Sequence, residues 1–207
     1  MSHGVVPAVV VDGTRNILAP LARFLARLGV RANTVTIAGV VVTLAGAVMV
    51  AAGQPFAGGL VLLAGTLADA LDGQLARASG GGTRFGAFLD STLDRVADGA
   101  LAAAAIWLGH STDHGALIVT GLALFLASSL VPYVRAKAEA LGLSGDVGVA
   151  PREARVALYI VGVLVWAALA DQRAFEVTIA AIAVLASYTL VERVTHVARA
   201  LNNEGKR

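Results

Sequence analysis

The chain has 207 residues, 57% of them hydrophobic and 14% charged, with 16 basic side chains against 14 acidic ones and no cysteine. Soluble domains usually carry about 25% charged residues, so this composition and a mean hydropathy of +0.76 place the chain first among membrane proteins. The lack of cysteine excludes disulfides, thiolate-held zinc, iron–sulfur clusters and thiol nucleophiles, and a net charge of +2 is too small to argue for nucleic acid as a partner.

Residues 1–14 contain no Lys or Arg, and the apolar run that starts at Val5 meets Asp12 at once, so no cleavable leader is expected. An amphipathic helix is expected over 12–29. Ile17, Leu18, Leu21, Phe24, Leu25 and Leu28 recur at helical spacing, and Arg23 and Arg27 share the other side. This suits a helix lying in the membrane interface with its apolar face in lipid, kinked by Pro20; an ordinary packed amphipathic helix is the alternative. Six apolar stretches follow, at about 34–52, 57–78, 86–109, 115–137, 154–171 and 174–194, each near the ~20 residues needed to span ~30 Å of hydrocarbon. Gly53-Gln54-Pro55, Gly80-Gly81-Gly82 and the stretch from Gly148 to Pro151 mark joints. The expectation is an all-α, single-domain polytopic membrane protein of residues 1–207, with an interfacial helix before a bundle of six spans over 33–201.

With those spans, 15 of the 16 basic residues fall at one membrane face, and only Arg173 falls on the other. Basic loops stay cytoplasmic. Both termini are therefore expected in the cytoplasm, along with any chemistry at that face of the plasma membrane.

That face holds four aspartates. Asp69 and Asp72, three apart, end the second span, and Asp90 and Asp94, four apart, begin the third. Each spacing puts its pair on one helix face, and the short glycine-rich joint makes the two helices antiparallel neighbours. An Asp deep in a membrane helix costs roughly 2.5–3.5 kcal/mol, and converging anions repel one another. Arg77, Arg84 and Arg95 offset part of this. Two Mg²⁺ or Mn²⁺ ions shared by four carboxylates would leave the acids neutral, and hard cations take oxygen ligands. Zinc is disfavoured, because neither His nor Cys lies in this segment.

Asp69-x-x-Asp72-Gly73-x-x-Ala76-Arg77, eight residues, then Gly86-x-x-x-Asp90-x-x-x-Asp94, resembles the CDP-alcohol phosphotransferase signature at every fixed position. The resemblance implies a cytidine diphosphate donor whose pyrophosphate is clamped by metal as CMP leaves. It also implies that Asp69, Asp72, Asp90 and Asp94 are the metal ligands and that Asp94 takes the proton from the acceptor hydroxyl. Gly73 and Ala76 lack bulk, which suits close approach of a nucleotide. Arg77 suits phosphate oxygens, and Gly86 allows close helix packing. Thr83 joins this donor set. Asn33 and Thr36 resemble the family's Pro-Asn-x-x-Thr element near the nucleotide, with Ala32 in place of the proline; a helix N-cap by Asn33 is the alternative. Asp98 is expected to support the site or to pair with Arg95.

A second basic group, Arg135, Lys137, Arg155 and Arg193, lies on the same expected face. The positive-inside tendency alone explains many such residues, and a phosphate-binding pocket is the sharper reading. Residues 83–90 through Asp98-Gly99, and 133–142, resemble actinobacterial phosphatidylinositol phosphate synthases. That resemblance implies that these four bases hold the acceptor phosphate, although the Arg135-Ala136-Lys137 order is reversed relative to the relatives. It implies transfer of a phosphatidyl group from CDP-diacylglycerol to inositol 1-phosphate, with glycerol 3-phosphate as the alternative acceptor, and a homodimer in the bilayer. Ion or proton transport is the alternative of another class, since intramembrane acids also mark transporters. The acids here gather at one face with no matching set in the second half. Trp107 and Trp166 are expected as interfacial anchors, and the four histidines carry no assigned chemistry.

Overall fold

In a computed structural model the backbone is described over residues 8–204 and the side chains over 18–203. The reading of residues 1–14 as free of a leader, and the charges of Arg15, Lys206 and Arg207, lie outside these limits. Seven helices follow in order: α1 (Ala8–Arg27), α2 (Ala32–Ala51), α3 (Pro55–Ala78), α4 (Arg84–Ser111), α5 (Gly115–Ala140), α6 (Arg152–Leu169) and α7 (Arg173–Glu204). No strand occurs among the described residues. Helices α2 to α7 coincide with the six expected apolar stretches to within a few residues, except that α7 runs ten residues beyond the expected end at 194. Helix α1 runs through Pro20 without ending there.

Four of these helices, α2, α3, α5 and α7, are long and apolar enough to cross a bilayer, and only 28–33% of the 18-residue apolar stretch in each is buried inside the protein. The remaining apolar surface, with Val41, Val48, Phe56, Val119 and Val184 among its most exposed residues, requires a non-aqueous surrounding, and the protein is membrane-integral. Helices α4 and α6 fall short of this criterion because of their charges. Asp94, Arg95 and Asp98 sit within α4, and Arg152, Glu153 and Arg155 open the shorter α6.

The described chain folds as two compact units, one up to Ala104 and one from Ala105 onward. In the first, α2 packs on α3 along a seam of small residues. Gly39, Gly46 and Val50 on α2 are buried, as are Gly58, Leu62 and Gly65 on α3. A Cβ on Gly46 would lie 2.9 Å from Leu62, and one on Gly65 would collide with the Thr43 hydroxyl and come within 3.1 Å of the Thr43 backbone nitrogen. Small residues at this spacing let two membrane helices approach closely. The seam continues to buried Thr36 on α2 and buried Asp72 on α3, so close packing of the glycines sets the register of the polar residues beyond them.

The second unit repeats this logic with larger side chains. Leu117, Gly121, Leu124, Ser128, Val131 and Ala138 form the buried stripe of α5, and Phe175, Ile179, Ile182, Ala186, Thr189 and Arg193 are buried at the same period on α7. Helix α6 joins α7 where Gly162 meets Thr178 and where Tyr159 and Trp166 both pack on Phe175, at ring-centroid distances of 5.2 and 5.8 Å. Trp166 is therefore a core residue, 8% exposed, and not the interfacial anchor expected from sequence; it stacks on Phe175 at an interplanar angle of 24°. Trp107 is 62% exposed, as an anchor requires.

Candidate active site

The turn from α3 to α4 brings the acids together. Only residues 79–83 separate the two helices, and Gly80 and Gly81 adopt φ of +96° and +107°, where a side chain would be strained. Thr83 then caps α4, its hydroxyl accepting the Gly86 N–H at 2.9 Å. The N-terminus of α4 is thus held beside the C-terminus of α3. Carboxylate oxygens of Asp69, Asp72 and Asp90 lie within 4.8 Å of one another.

Asp72 is the buried member, at 7% exposure, and buried Thr36 sets its hydroxyl against the carboxylate. Asp72 Oδ2 is nonetheless buried without a hydrogen-bond partner. An unsatisfied buried carboxylate oxygen facing two further carboxylates is costly unless a cation satisfies it, and an all-oxygen set suits Mg²⁺ or Mn²⁺. The residues present therefore fit a divalent metal. Asp94, expected as a fourth ligand, is not a member of this trio. It lies one helical turn further along α4, about 6 Å by helix rise, and its carboxylate is 3.7 Å from Arg95 Nη2. Arg95 also reaches Asp98 at 3.9 Å, the pairing expected from sequence.

A cavity of about 790 Å³ opens at this point. Asp72 and Asp90 line it, and so do six of the seven expected donor residues: Asn33, Thr36, Gly73, Ala76, Thr83 and Gly86. The seventh, Arg77, is not part of the lining; its guanidinium lies 3.9 Å from where a Gly73 Cβ would stand. Asn33 is not an N-cap. Arg31 holds that position of α2 without a side-chain cap, and Asn33 Oδ1 lies 3.1 Å from where a Gly86 Cβ would be. A side chain at Gly86 would therefore crowd both Asn33 and the capping Thr83.

The lining also includes Arg31, Ser79 and Arg84, to which the sequence reading assigned no donor role. Arg31 directly precedes α2 and Arg84 is the first residue of α4, where the helix N-termini carry partial positive charge. Two helix N-termini and two arginines around one cavity attract phosphate groups. A basic residue at the start of a helix, the N-cap of α2 and the first position of α4, was the sequence signal that could have found them.

The second expected group lies within α5, α6 and α7. Buried Arg193 donates from Nε and Nη2 to the Val147 carbonyl at 3.0 and 2.9 Å, and from Nη1 to the Val131 carbonyl at 2.9 Å. Pro132 follows Val131 inside α5 and lacks an N–H, which leaves the Ser128 carbonyl one turn earlier without its ladder donor. Buried Arg155 donates from Nη1 to the Ala150 carbonyl at 2.7 Å. Arg135 pairs with Glu139 at 2.9 Å and Asp146 at 3.4 Å, and Lys137 is exposed. His114 is also engaged, with Thr112 at 3.0 Å and Glu176 at 3.5 Å.

Known proteins bear on this geometry. The sequence model of the family described as CDP-alcohol phosphatidyltransferase matches residues 30–191. The phosphatidylinositol phosphate synthase of Mycolicibacterium smegmatis is 38% identical over 84% of this chain and 81% of its own length. That of Corynebacterium glutamicum is 36% identical over 92% and 85%. The crystal structure of Mycobacterium tuberculosis phosphatidylinositol phosphate synthase with CDP-DAG bound superposes with a TM-score of 0.82 at 36% identity, covering 88% of this chain and 94% of that one. A second structure of the same enzyme, in complex with manganese and citrate, gives 0.81 at 36% identity over 87% and 88%. The signature residues, five of which line one cavity, and these matches agree: the chain belongs to the CDP-alcohol phosphatidyltransferase family of CMP-releasing membrane enzymes.

Proposed function

We propose that this enzyme transfers a phosphatidyl group from CDP-diacylglycerol to inositol 1-phosphate, giving phosphatidylinositol phosphate and CMP. The observation that carries the reading is the cavity that joins Asn33, Thr36, Gly73, Ala76, Thr83 and Gly86 to Asp72 and Asp90. Its volume and its positive helix termini suit a nucleotide pyrophosphate.

Asp69, Asp72 and Asp90, with Asp94 beside them in sequence, would hold Mg²⁺ or Mn²⁺, two ions in the full reading. A divalent cation bound there neutralises charge on the pyrophosphate and on departing CMP. The chain's own groups do the rest. Arg31, Arg77 and Arg84 bind phosphate oxygens. Arg135, Lys137, Arg155 and Arg193 hold the acceptor phosphate. Asp94 takes the proton from the acceptor hydroxyl as its oxygen attacks the phosphorus that bears diacylglycerol. The bond from that phosphorus to the CMP oxygen breaks, and CMP carries the electron pair away.

The reading includes six spans, α2 to α7, with α1 lying in the interface. Leu21 and Phe24 support this, since they are exposed apolar residues on α1, with exposed Leu28 just past its end, while Ala22 is buried. Both termini and the cavity face the cytoplasm, as the basic loops require. The enzyme works as a homodimer.

The test is CMP release from CDP-diacylglycerol with Mg²⁺, comparing inositol 1-phosphate, glycerol 3-phosphate and free inositol as acceptors. Inositol 1-phosphate is expected to give the highest kcat/KM; a preference for glycerol 3-phosphate would reassign the acceptor. Ion transport predicts no CMP release at all.

A further inference from the structure

The connection between α5 and α6 is anchored on both sides of one carboxylate. Gly145 is buried, and a Cβ there would come within 2.9 Å of Arg135 Cα. Val147 gives its carbonyl to two nitrogens of buried Arg193. Gly148, at φ +141°, packs against Thr189, whose hydroxyl accepts the Ala150 N–H at 3.3 Å. Asp146 stands between these anchors, so its backbone is fixed while its side chain is 60% exposed. It reaches Arg135 Nη1 at 3.4 Å, and Glu139 takes the Nε of the same guanidinium at 2.9 Å.

A guanidinium offers a planar fork to a phosphate, and here both ends of the fork are engaged by carboxylates. Glu139 sits one turn away on the same helix, an ordinary i,i+4 partner. Asp146 arrives from a connection held in place by other interactions, which makes its pairing a built feature of the fold. Its exposed carboxylate can rotate into solvent without moving the loop.

We propose that Asp146 is a resident counter-ion at the acceptor site, one that a phosphomonoester must displace from Arg135. The inference rests on the reading of Arg135 as a phosphate ligand. A phosphomonoester brings close to two negative charges and three acceptor oxygens, enough to replace a single carboxylate. A neutral polyol brings no charge and leaves the pair closed. Asp146 thereby sets the selectivity between phosphorylated and unphosphorylated acceptors.

The experiment uses the full chain in detergent or nanodiscs with Mg²⁺ and CDP-diacylglycerol. Asp146→Asn is expected to lower KM for inositol 1-phosphate about two- to fivefold, the range for an exposed ion pair, and to leave free inositol unimproved. Calorimetric titration with inorganic phosphate is a second measurement that needs no turnover. It is expected to show tighter binding by a similar factor in Asp146→Asn and no such gain when Arg135→Gln is also present. An unchanged or raised KM with unchanged phosphate affinity overturns the proposal, as does a gain that persists without Arg135. A wild type that turns over no phosphorylated acceptor removes the inositol 1-phosphate reading instead. The phosphate titration then decides the role of Asp146 by itself, tighter binding in Asp146→Asn sustaining it and equal binding ending it.

Discussion

Asp72 concentrates the chemistry of the site, because it is buried among two other carboxylates and one of its oxygens has no hydrogen-bond partner. A ligand that binds only the folded state stabilises it by about 2.7 kcal/mol at 100 times its Kd. Saturating Mn²⁺ should therefore raise the thermal midpoint of the wild type, and Asp72→Asn should lose most of that rise; equal shifts in both would argue against the trio as the metal site. Asp94 makes a different prediction. Its proposed role adds proton transfer to metal binding, so in Asp94→Asn CMP release should fall by about 10²–10⁴, the usual weight of a general base, even at saturating Mn²⁺. Retained turnover would end that assignment. Lys137 is exposed, so Lys137→Ala should raise KM for a phosphorylated acceptor far more than KM for the CDP donor. Similar changes in both would reduce it to a topological charge. At this scale the sequence was most legible where residue type and spacing coincide, as at Asp69, Asp72 and Asp90. It was least legible for Asn33, whose two readings differ only in where α2 begins. A one-residue choice of cap, Arg31, frees Asn33 to face Gly86.

The α2–α3 pair shows how a helix contact becomes a site. Gly39, Gly46, Gly58 and Gly65 bring two backbones close, and Thr36 and Asp72 lie further along the same seam. Gly65→Val should cost about 1–3 kcal/mol through overpacking, because the added atoms meet the Thr43 backbone and not a flexible side-chain end. It should also raise the donor KM, since α3 must shift and carries Asp69 and Asp72 with it. A variant with normal donor KM despite lost stability would uncouple seam from site. The seam of α5 with α7 follows a 3.5-residue pattern of buried positions, and its last member is Arg193, which the sequence analysis placed only as an acceptor-phosphate ligand. Nothing in the order of residues reveals that a buried arginine will cap carbonyls at Val131 and Val147. Trp166 failed for the same reason: its neighbour Phe175 lies on another helix.

For the whole molecule the expectation is orientation in the bilayer, and the cysteine-free sequence offers a clean test. Single cysteines at Gln54 and Asp113 should react with an impermeant maleimide in intact cells, while those at Ser79 and Ser144 should react only after lysis. Labelling of Ser144→Cys in intact cells would overturn the six-span arrangement. By itself, the sequence determined the helical class, the position of each helix within a few residues apart from the longer C-terminal end of α7, and the identity of the motif acids, because hydropathy, glycine joints and residue spacing are local properties. Tertiary structure alone decided which acids converge, that Asn33 turns toward Gly86, and that Arg135, Arg155 and Arg193 each engage the connection between α5 and α6. Those outcomes depend on side chains far apart in sequence meeting across helix interfaces, where a difference of one helical turn, about 5.4 Å, separates a ligand from a neighbour. Asp69, Asp72 and Asp90 are of that kind: they stand on two helices, and their carboxylate oxygens meet within 4.8 Å of one another.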